Sequence, residues 1–185
     1  MIKRYRRTAT TQYLIVILIT LSIIGIGLLS AFVMSFVPFL DEFALPWAAG
    51  RMWLLDGESP YSQSAIQDAE SAIDESNFLG VLPDSQVLRH PLLNLLFYLP
   101  FSLMPFGVAR VMWMTILAMC VGLIGFFGIQ LSGWKVSALK QFGAILLIVF
   151  WLPGASAILA GHLAPIIIVL LLAGIYLVVN GQDTT

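Results

Sequence analysis

The sequence predicts an all-α polytopic membrane protein with four to five transmembrane helices and one long outer loop. Its residues are 59% hydrophobic and only 10% charged, with a mean hydropathy of +0.95. Soluble domains are about half apolar and about a quarter charged. The charges are also unevenly distributed along the chain. A basic cluster lies at the N-terminus, nearly all the acids lie in one internal segment, and long charge-free runs make up most of the remainder. These observations point to lipid as the solvent of most of the chain.

The composition also excludes several classes of function. The net charge is −1, so no basic surface is available to neutralise nucleic-acid phosphates, and no nucleic-acid partner is expected. The single cysteine, Cys120, lies in an apolar run and is interpreted as a small buried residue. The sequence has no zinc-ligand spacing, Gly-rich phosphate loop or Ser–His–Asp arrangement. No cofactor and no metal site are predicted, and a need for divalent metal is left open.

The first element is a predicted span over Tyr13–Val37, which is 25 residues without a charge. As a helix this run is roughly 37 Å long, enough to cross a bilayer. It is too long for a signal peptide and lacks a clean cleavage site. Residues 1–12 carry four basic residues and are expected to be cytoplasmic, because positive charge stays inside. The protein is therefore predicted to lie in the cell (cytoplasmic/inner) membrane.

The second element is an outer loop, residues 38–90, which holds all but one of the ten acidic residues. Two juxtamembrane helices are predicted in it, Phe43–Leu55 and Ser62–Ser76. The "GESP" between them breaks the helix, because Gly and Pro both oppose its continuation. The first helix is expected to lie in the interface with Trp47 and Trp53 at headgroup depth, and the second to be more soluble.

The rest of the chain is expected to form membrane helices within a single membrane domain, residues 1–185. Residues 91–131 hold one charge, and Pro100 and Pro105 divide them into a short helix and a longer span. The predicted bounds are Leu92–Met104 and Val108–Leu131. Residues 132–141 are predicted to be a polar connection. Residues 142–179 carry no charge and are predicted to form a helical hairpin, which is interrupted at Pro153–Gly154 and at Gly161–His162. Residues 180–185 are a tail.

Two topologies remain open. If Leu92–Met104 crosses the membrane, the chain has five spans and Lys135 and Lys140 face outward. If that segment is re-entrant, the chain has four spans, both lysines are cytoplasmic and His162 joins the acidic outer loop. The positive-inside rule and the shortness of the segment favour the second.

Asp41 and Glu42, at the exit of the first span, are the candidate catalytic residues. Two acids there commonly do no more than end a membrane helix in water. Partial desolvation at a membrane surface would also raise the pKa of a carboxyl toward the range that suits a general base.

Cationic groups give the candidate phosphate ligands. Arg51, Arg89 and His90 are the basic side chains of the outer loop, and Arg is well suited to gripping a phosphate. Arg51 can also simply snorkel beside Trp47. His162 lies in an apolar stretch and is either a hydrogen-bonded structural group or a functional one, because polar groups at membrane depth are costly.

The loop sequence "EFALPWAAGRMWLLDGESPY" resembles the first outer loop of glycosyltransferase family 87, a family of GT-C membrane glycosyltransferases that was formerly a domain of unknown function. Two further blocks resemble that family in the expected order, "HPLLNLLFYLPFSLMPF" and "ILAGHLAPIIIVLLLAG". The matched positions are Glu42, Phe43, Trp47, Ala49, Gly50, Arg51, Gly57, Pro60, Tyr61, Pro91, Pro100, Leu103, Pro105 and Gly161. The family has an acidic residue, usually Asp, in this loop. The spacing of the block matches that residue to Glu42, whereas the residue type matches Asp41.

Other positions depart from the family. His90 stands where Tyr is usual, His162 replaces Gln, and Pro46 replaces an aromatic residue. Family members are usually much longer, so the resemblance implies a GT-C-like N-terminal module, with a second chain as one source of the missing C-terminal half.

The resemblance implies a hexosyltransferase of the cell envelope. A hexose would pass from a polyprenyl-phosphate sugar to a glycan or glycolipid acceptor on the outer face, with membrane lipids around the site. Asp41 or Glu42 would be the base, and Arg51, Arg89, His90 or His162 would contact the substrate. The alternative is a non-catalytic membrane scaffold or assembly protein derived from the same family.

Overall fold

The computed structural model describes residues 25–29, 31–33, 35–36, 39–76, 78–82, 92–134 and 137–181. This part of the chain is predominantly helical, which confirms the all-α class. The elements are β1 (Phe39–Leu40), α1 (Ala44–Leu55), α2 (Gln63–Glu75), β2 (Gly80–Val81), α3 (Leu92–Ser102), α4 (Phe106–Leu131), α5 (Ala138–Phe150), α6 (Leu152–Ala160) and α7 (Ala164–Gly181). Residues 25–29 and 31–33 are also helical.

Helix α4 is the centre of the fold and packs against α5, α6 and α7. Within the described residues it is the one continuous helix long and apolar enough to cross a membrane. Helices α5 and α6 pass the same test together, but they meet at a 56° bend and form a broken span or a re-entrant loop. The bend follows Phe150, where the sequence "WLPG" places Pro153 in the first turn of α6. Four to five spans are therefore not established by these helices.

Helices α1 and α2 form a cap against the end of this bundle. Helix α1 packs on α2 and α3, and its small residues allow close approach. An added Cβ at Gly50 would collide with the Ser102 hydroxyl of α3. Helix α2 is amphipathic: Ala65, Ala69 and Ile73 are buried and recur on one face, while Glu70 and Asp74 are exposed.

The two tryptophans of α1, both predicted to lie at headgroup depth, differ from each other in burial. Trp47 is only 5% exposed and its indole N–H donates to the carbonyls of Phe101 and Met104, at 3.0 and 3.2 Å. Trp53 is 37% exposed. Trp47 is buried in protein because the end of α3 and the turn after it offer its indole N–H two acceptors, and its depth relative to the headgroups stays a prediction. Only the Trp53 face of α1 remains outside the core.

The ends of the cap are held together by a short parallel ladder. Phe39 pairs with Gly80 and Leu40 with Val81. The backbone N–H of Asp41 extends the ladder with a 2.9 Å hydrogen bond to the Val81 carbonyl. This closure fixes Asp41 where the chain enters α1. Most of the predicted span Tyr13–Val37 lies outside the described residues.

Candidate functional site

The site is built around the ring of Phe43, which is fully buried at the start of α1. Four aromatic rings surround it at centroid distances of 5.6–6.4 Å, and they belong to Tyr98, Phe101, Phe106 and Trp113. Tilted and edge-on ring pairs at such distances stabilise a core beyond the effect of area alone. Phe43 therefore fixes the entry of α1 against both α3 and α4.

Asp41 and Arg110 form a buried ion pair beside this cluster. Arg110 Nε lies 3.0 Å from Asp41 Oδ2, and the two side chains are 0% and 1% exposed. Arg110 also donates to the Leu159 carbonyl at the end of α6, and its guanidinium lies 5.5 Å from the centroid of the Phe43 ring. Because a lone charge in an apolar helix is costly, the pair provides the compensation that Arg110 requires.

The second oxygen of Asp41 caps helix α1. Asp41 Oδ1 accepts hydrogen bonds from the backbone N–H groups of Phe43 and Ala44, at 2.9 and 3.0 Å. Burial raises the pKa of the Asp41 carboxyl, while the Arg110 guanidinium and these N–H donors oppose the rise. A raised pKa suits a general base. However, both oxygens are engaged and the side chain is closed to solvent, so Asp41 acts as a structural anchor in this conformation.

Gly161 lets the turn after α6 approach this anchor. Its φ of +79° is a left-handed conformation that L residues with a side chain rarely adopt. A Cβ at this position would lie 2.6 Å from Arg110 Nη1 and 3.0 Å from Phe43 Cβ. The Gly161 carbonyl accepts the indole N–H of Trp113 at 3.0 Å. Because Gly161 has no side chain, the turn after α6 can pack directly against the Asp41–Arg110 pair.

The same turn brings His162 to Glu42. His162 Nδ1 lies 2.5 Å from Glu42 Oε2, and the two side chains are 44% and 31% exposed. The backbone N–H of Glu42 donates to the Ala160 carbonyl at 2.8 Å, which holds the two segments together. This carboxylate–imidazole pair is open to solvent, so it can exchange a proton with a bound molecule.

The structure brings together three of the residues predicted from sequence, Asp41, Glu42 and His162. Arg51 is elsewhere: no described contact joins it to them, and its guanidinium lies 5.7 Å from the Trp47 ring centroid and 3.5 Å from the Ser102 carbonyl. The predictions for Arg89 and His90 fall outside the described residues.

Arg110 is the site residue that the sequence interpretation missed. Its signal was present, because it is the only charge in residues 91–131. An Arg inside an apolar run usually pairs with an acid or a backbone carbonyl, and Asp41 is an acid next to the predicted first span. The isolated charge of Arg110 is therefore a sequence signal for a buried cation, and it makes Asp41 a candidate partner.

Within the described ranges, no group of three or more His, Cys, Asp or Glu side chains lies close enough together to hold a metal ion. No family model, no curated protein and no solved structure matches this chain. The resemblance to glycosyltransferase family 87 therefore stays a prediction.

Proposed function

We propose that the chain is a membrane glycosyltransferase, or the N-terminal half of one. It would transfer a hexose from a polyprenyl-phosphate sugar to a glycan or glycolipid acceptor at the outer face of the cell (inner) membrane. The observation that carries the proposal is the solvent-open pair of Glu42 and His162. It joins the loop block and the "GH" block, two of the three sequence blocks that resemble the family, and the third block packs on Phe43 through α3.

Glu42 is the proposed base. Its carboxylate would take the proton of the acceptor hydroxyl as that oxygen bonds to C1 of the sugar. The bond from C1 to the phosphate oxygen then breaks with inversion, and polyprenyl phosphate leaves with the electron pair. His162 orients the carboxylate and can accept the proton from it. A positioned base typically contributes about 10²–10⁴-fold. Asp41, the other candidate, is paired with Arg110 and caps the start of α1.

The test uses membranes supplied with a radiolabelled polyprenyl-phosphate hexose. Glu42→Gln should lower transfer by about 10²–10⁴-fold without loss of folded protein. Glu58→Gln, an exposed acid of the same loop, is the matched control and should retain activity. Asp41→Asn is expected to lose activity together with stability. Equal transfer by wild type and Glu42→Gln would remove Glu42 from the mechanism.

A non-catalytic scaffold is the second candidate, and the burial of Asp41 favours it. The carboxylate that resembles the family's preferred aspartate is committed to Arg110 and to the start of α1. A wild-type chain that transfers no sugar, even when supplied with a second chain for the C-terminal half, would support the scaffold and exclude the transferase.

The proposed function places residues 38–90 outside, with a cytoplasmic N-terminus and four to five spans. Two features support this placement, the basic N-terminal cluster and the acidic loop. Glu70→Cys, on the exposed side of α2, should react with an impermeant maleimide in intact cells. Lys140→Cys separates the topologies, because it should react in intact cells with five spans and only after lysis with four. Labelling of Glu70→Cys only after lysis would overturn the orientation.

A further inference from the structure

A groove of about 980 Å³ lies between α2 and the turn that joins α3 to α4. Its apolar lining comes from the helical segment before the cap, from α1, from the segment between α2 and β2, and from the turn and the start of α4. The apolar side chains are Phe32, Trp47, Phe78, Leu103, Pro105 and Phe106. Phe32 is 64% exposed and Leu103 61%, so the apolar lining continues onto the surface that would face lipid.

The lining of the groove also carries charges of both signs. Asp68, Ser71 and Glu75 stand on one face of α2, at spacings of three and four residues. Arg51 enters from α1. Among the described residues no carboxylate forms an ion pair with Arg51, whose nearest polar contact is the 3.5 Å approach to the Ser102 carbonyl. The groove thus presents a cation and two anions that form no ion pair with one another among the described residues.

We propose that this groove binds a membrane phospholipid whose headgroup joins a phosphate to a primary ammonium group. Arg51 would hold the phosphate, since a guanidinium donates several hydrogen bonds to phosphate oxygens. Asp68 and Glu75 would hold the ammonium. The acyl chains would lie along Phe32 and Leu103. This proposal rests on the part of the proposed function that places the protein in a membrane, and it does not depend on transferase activity.

Charge complementarity selects this occupant over other lipids. An anionic headgroup would satisfy Arg51 but would place its net charge beside Asp68 and Glu75. A quaternary ammonium headgroup has no N–H to donate to those carboxylates or to the Ser71 hydroxyl, whereas a primary ammonium has three. A headgroup with a phosphate and a primary ammonium satisfies both signs at once.

If a lipid occupies this groove, Arg51 binds the lipid phosphate and does not bind the phosphate of the sugar donor. Arg51 follows the start of α1 by about two turns, so roughly 11 Å of helix lies between Glu42 and Arg51. The phosphate of the sugar donor would then be held by Arg89 or His90, the remaining cationic candidates of the loop.

The test reconstitutes the full chain in nanodiscs of phosphatidylcholine doped with phosphatidylethanolamine or phosphatidylglycerol, and measures by native mass spectrometry which lipid remains bound. Wild type should retain phosphatidylethanolamine about fivefold over phosphatidylglycerol, the size expected for one or two exposed ion pairs. Asp68→Asn/Glu75→Gln should abolish that preference. Arg51→Gln should lower retention of both lipids.

Glu70→Gln/Asp74→Asn is the matched control. These two acids are exposed on α2 but do not line the groove, so this variant has the same charge change and should keep the wild-type preference. An equal loss of preference in both double variants, or no preference in wild type, would overturn the proposal. Displacement of phosphatidylethanolamine by polyprenyl phosphate would assign the groove to the sugar donor instead. Sugar transfer is measured separately, so loss of activity and loss of lipid preference are distinguishable.

Discussion

Two adjacent carboxylates of this chain differ in their partners and in their exposure to solvent. Asp41 pairs with Arg110 inside the protein, where both side chains are essentially closed to solvent. Glu42 pairs with His162 at the surface, where about a third or more of each side chain remains exposed. Asp41 follows β1 and its side chain contacts Arg110 and the start of α1, whereas Glu42 lies in the turn that follows and its side chain contacts His162. One pair is therefore part of the protein interior, and the other remains open to solvent.

The buried pair should carry the largest effect on stability. Arg110→Met leaves the Asp41 carboxylate buried without its cation, and we expect a loss of about 3–5 kcal/mol in the free energy of unfolding. Asp41→Asn/Arg110→Met removes both charges and keeps an oxygen to accept the N–H groups of Phe43 and Ala44. It should recover part of the loss. Denaturation in mixed micelles measures both, and a double variant as unstable as the single one would contradict the ion-pair interpretation.

Gly161, which lies beside both pairs, should give the intermediate effect. Gly161→Ala forces a side chain into a left-handed conformation and against Arg110 and Phe43, so we expect a loss of about 2 kcal/mol. Gly174→Ala is the matched control, because no atom lies within 4 Å of the added Cβ and the site is inside α7. That control should be neutral or stabilise by about 0.5–1 kcal/mol. Melting in detergent micelles checks both, and equal shifts would exclude a special role for the turn.

The surface pair should give the smallest effect on stability. Glu42→Gln and His162→Gln should each cost less than about 1 kcal/mol, because solvent competes for the polar groups of an exposed pair. The coupling between the two positions, from a double-mutant cycle, should shrink as salt rises from about 0.01 M to about 1 M. The coupling between Asp41 and Arg110 should not. Equal salt dependence of the two couplings would mean that they do not differ in burial as described.

The positions of the helices could be predicted from the sequence, because charge-free runs and Pro or Gly breaks act locally. The helix predicted over Ser62–Ser76 is observed as Gln63–Glu75, and the break at "GESP" is confirmed. The role of Trp47 could not be predicted, because periodicity does not say whether an aromatic residue in an interfacial helix meets lipid or protein. Its two carbonyl acceptors come from a turn more than 50 residues away.

The candidate residues of the site could be predicted from the sequence, but the contacts between them could not. The sequence identified Asp41, Glu42 and His162 as candidates, yet it left open which acid is accessible. That choice depends on Arg110, whose partner could have been any of several acids in the outer loop. Only the closure of β1 on β2 and the close approach of Gly161 decide which carboxylate faces inward.

The contact between Glu42 and His162 also has a consequence for biosynthesis. His162 follows Glu42 by 120 residues, so the pair cannot form until the ribosome has added that length of chain. At about 5–20 residues per second this takes roughly 6–24 s. During that interval the cap can close through β1 and β2 while Glu42 still lacks both His162 and the Ala160 carbonyl. The contact between Glu42 and His162 therefore forms only after α6 and the turn that follows it have been synthesised.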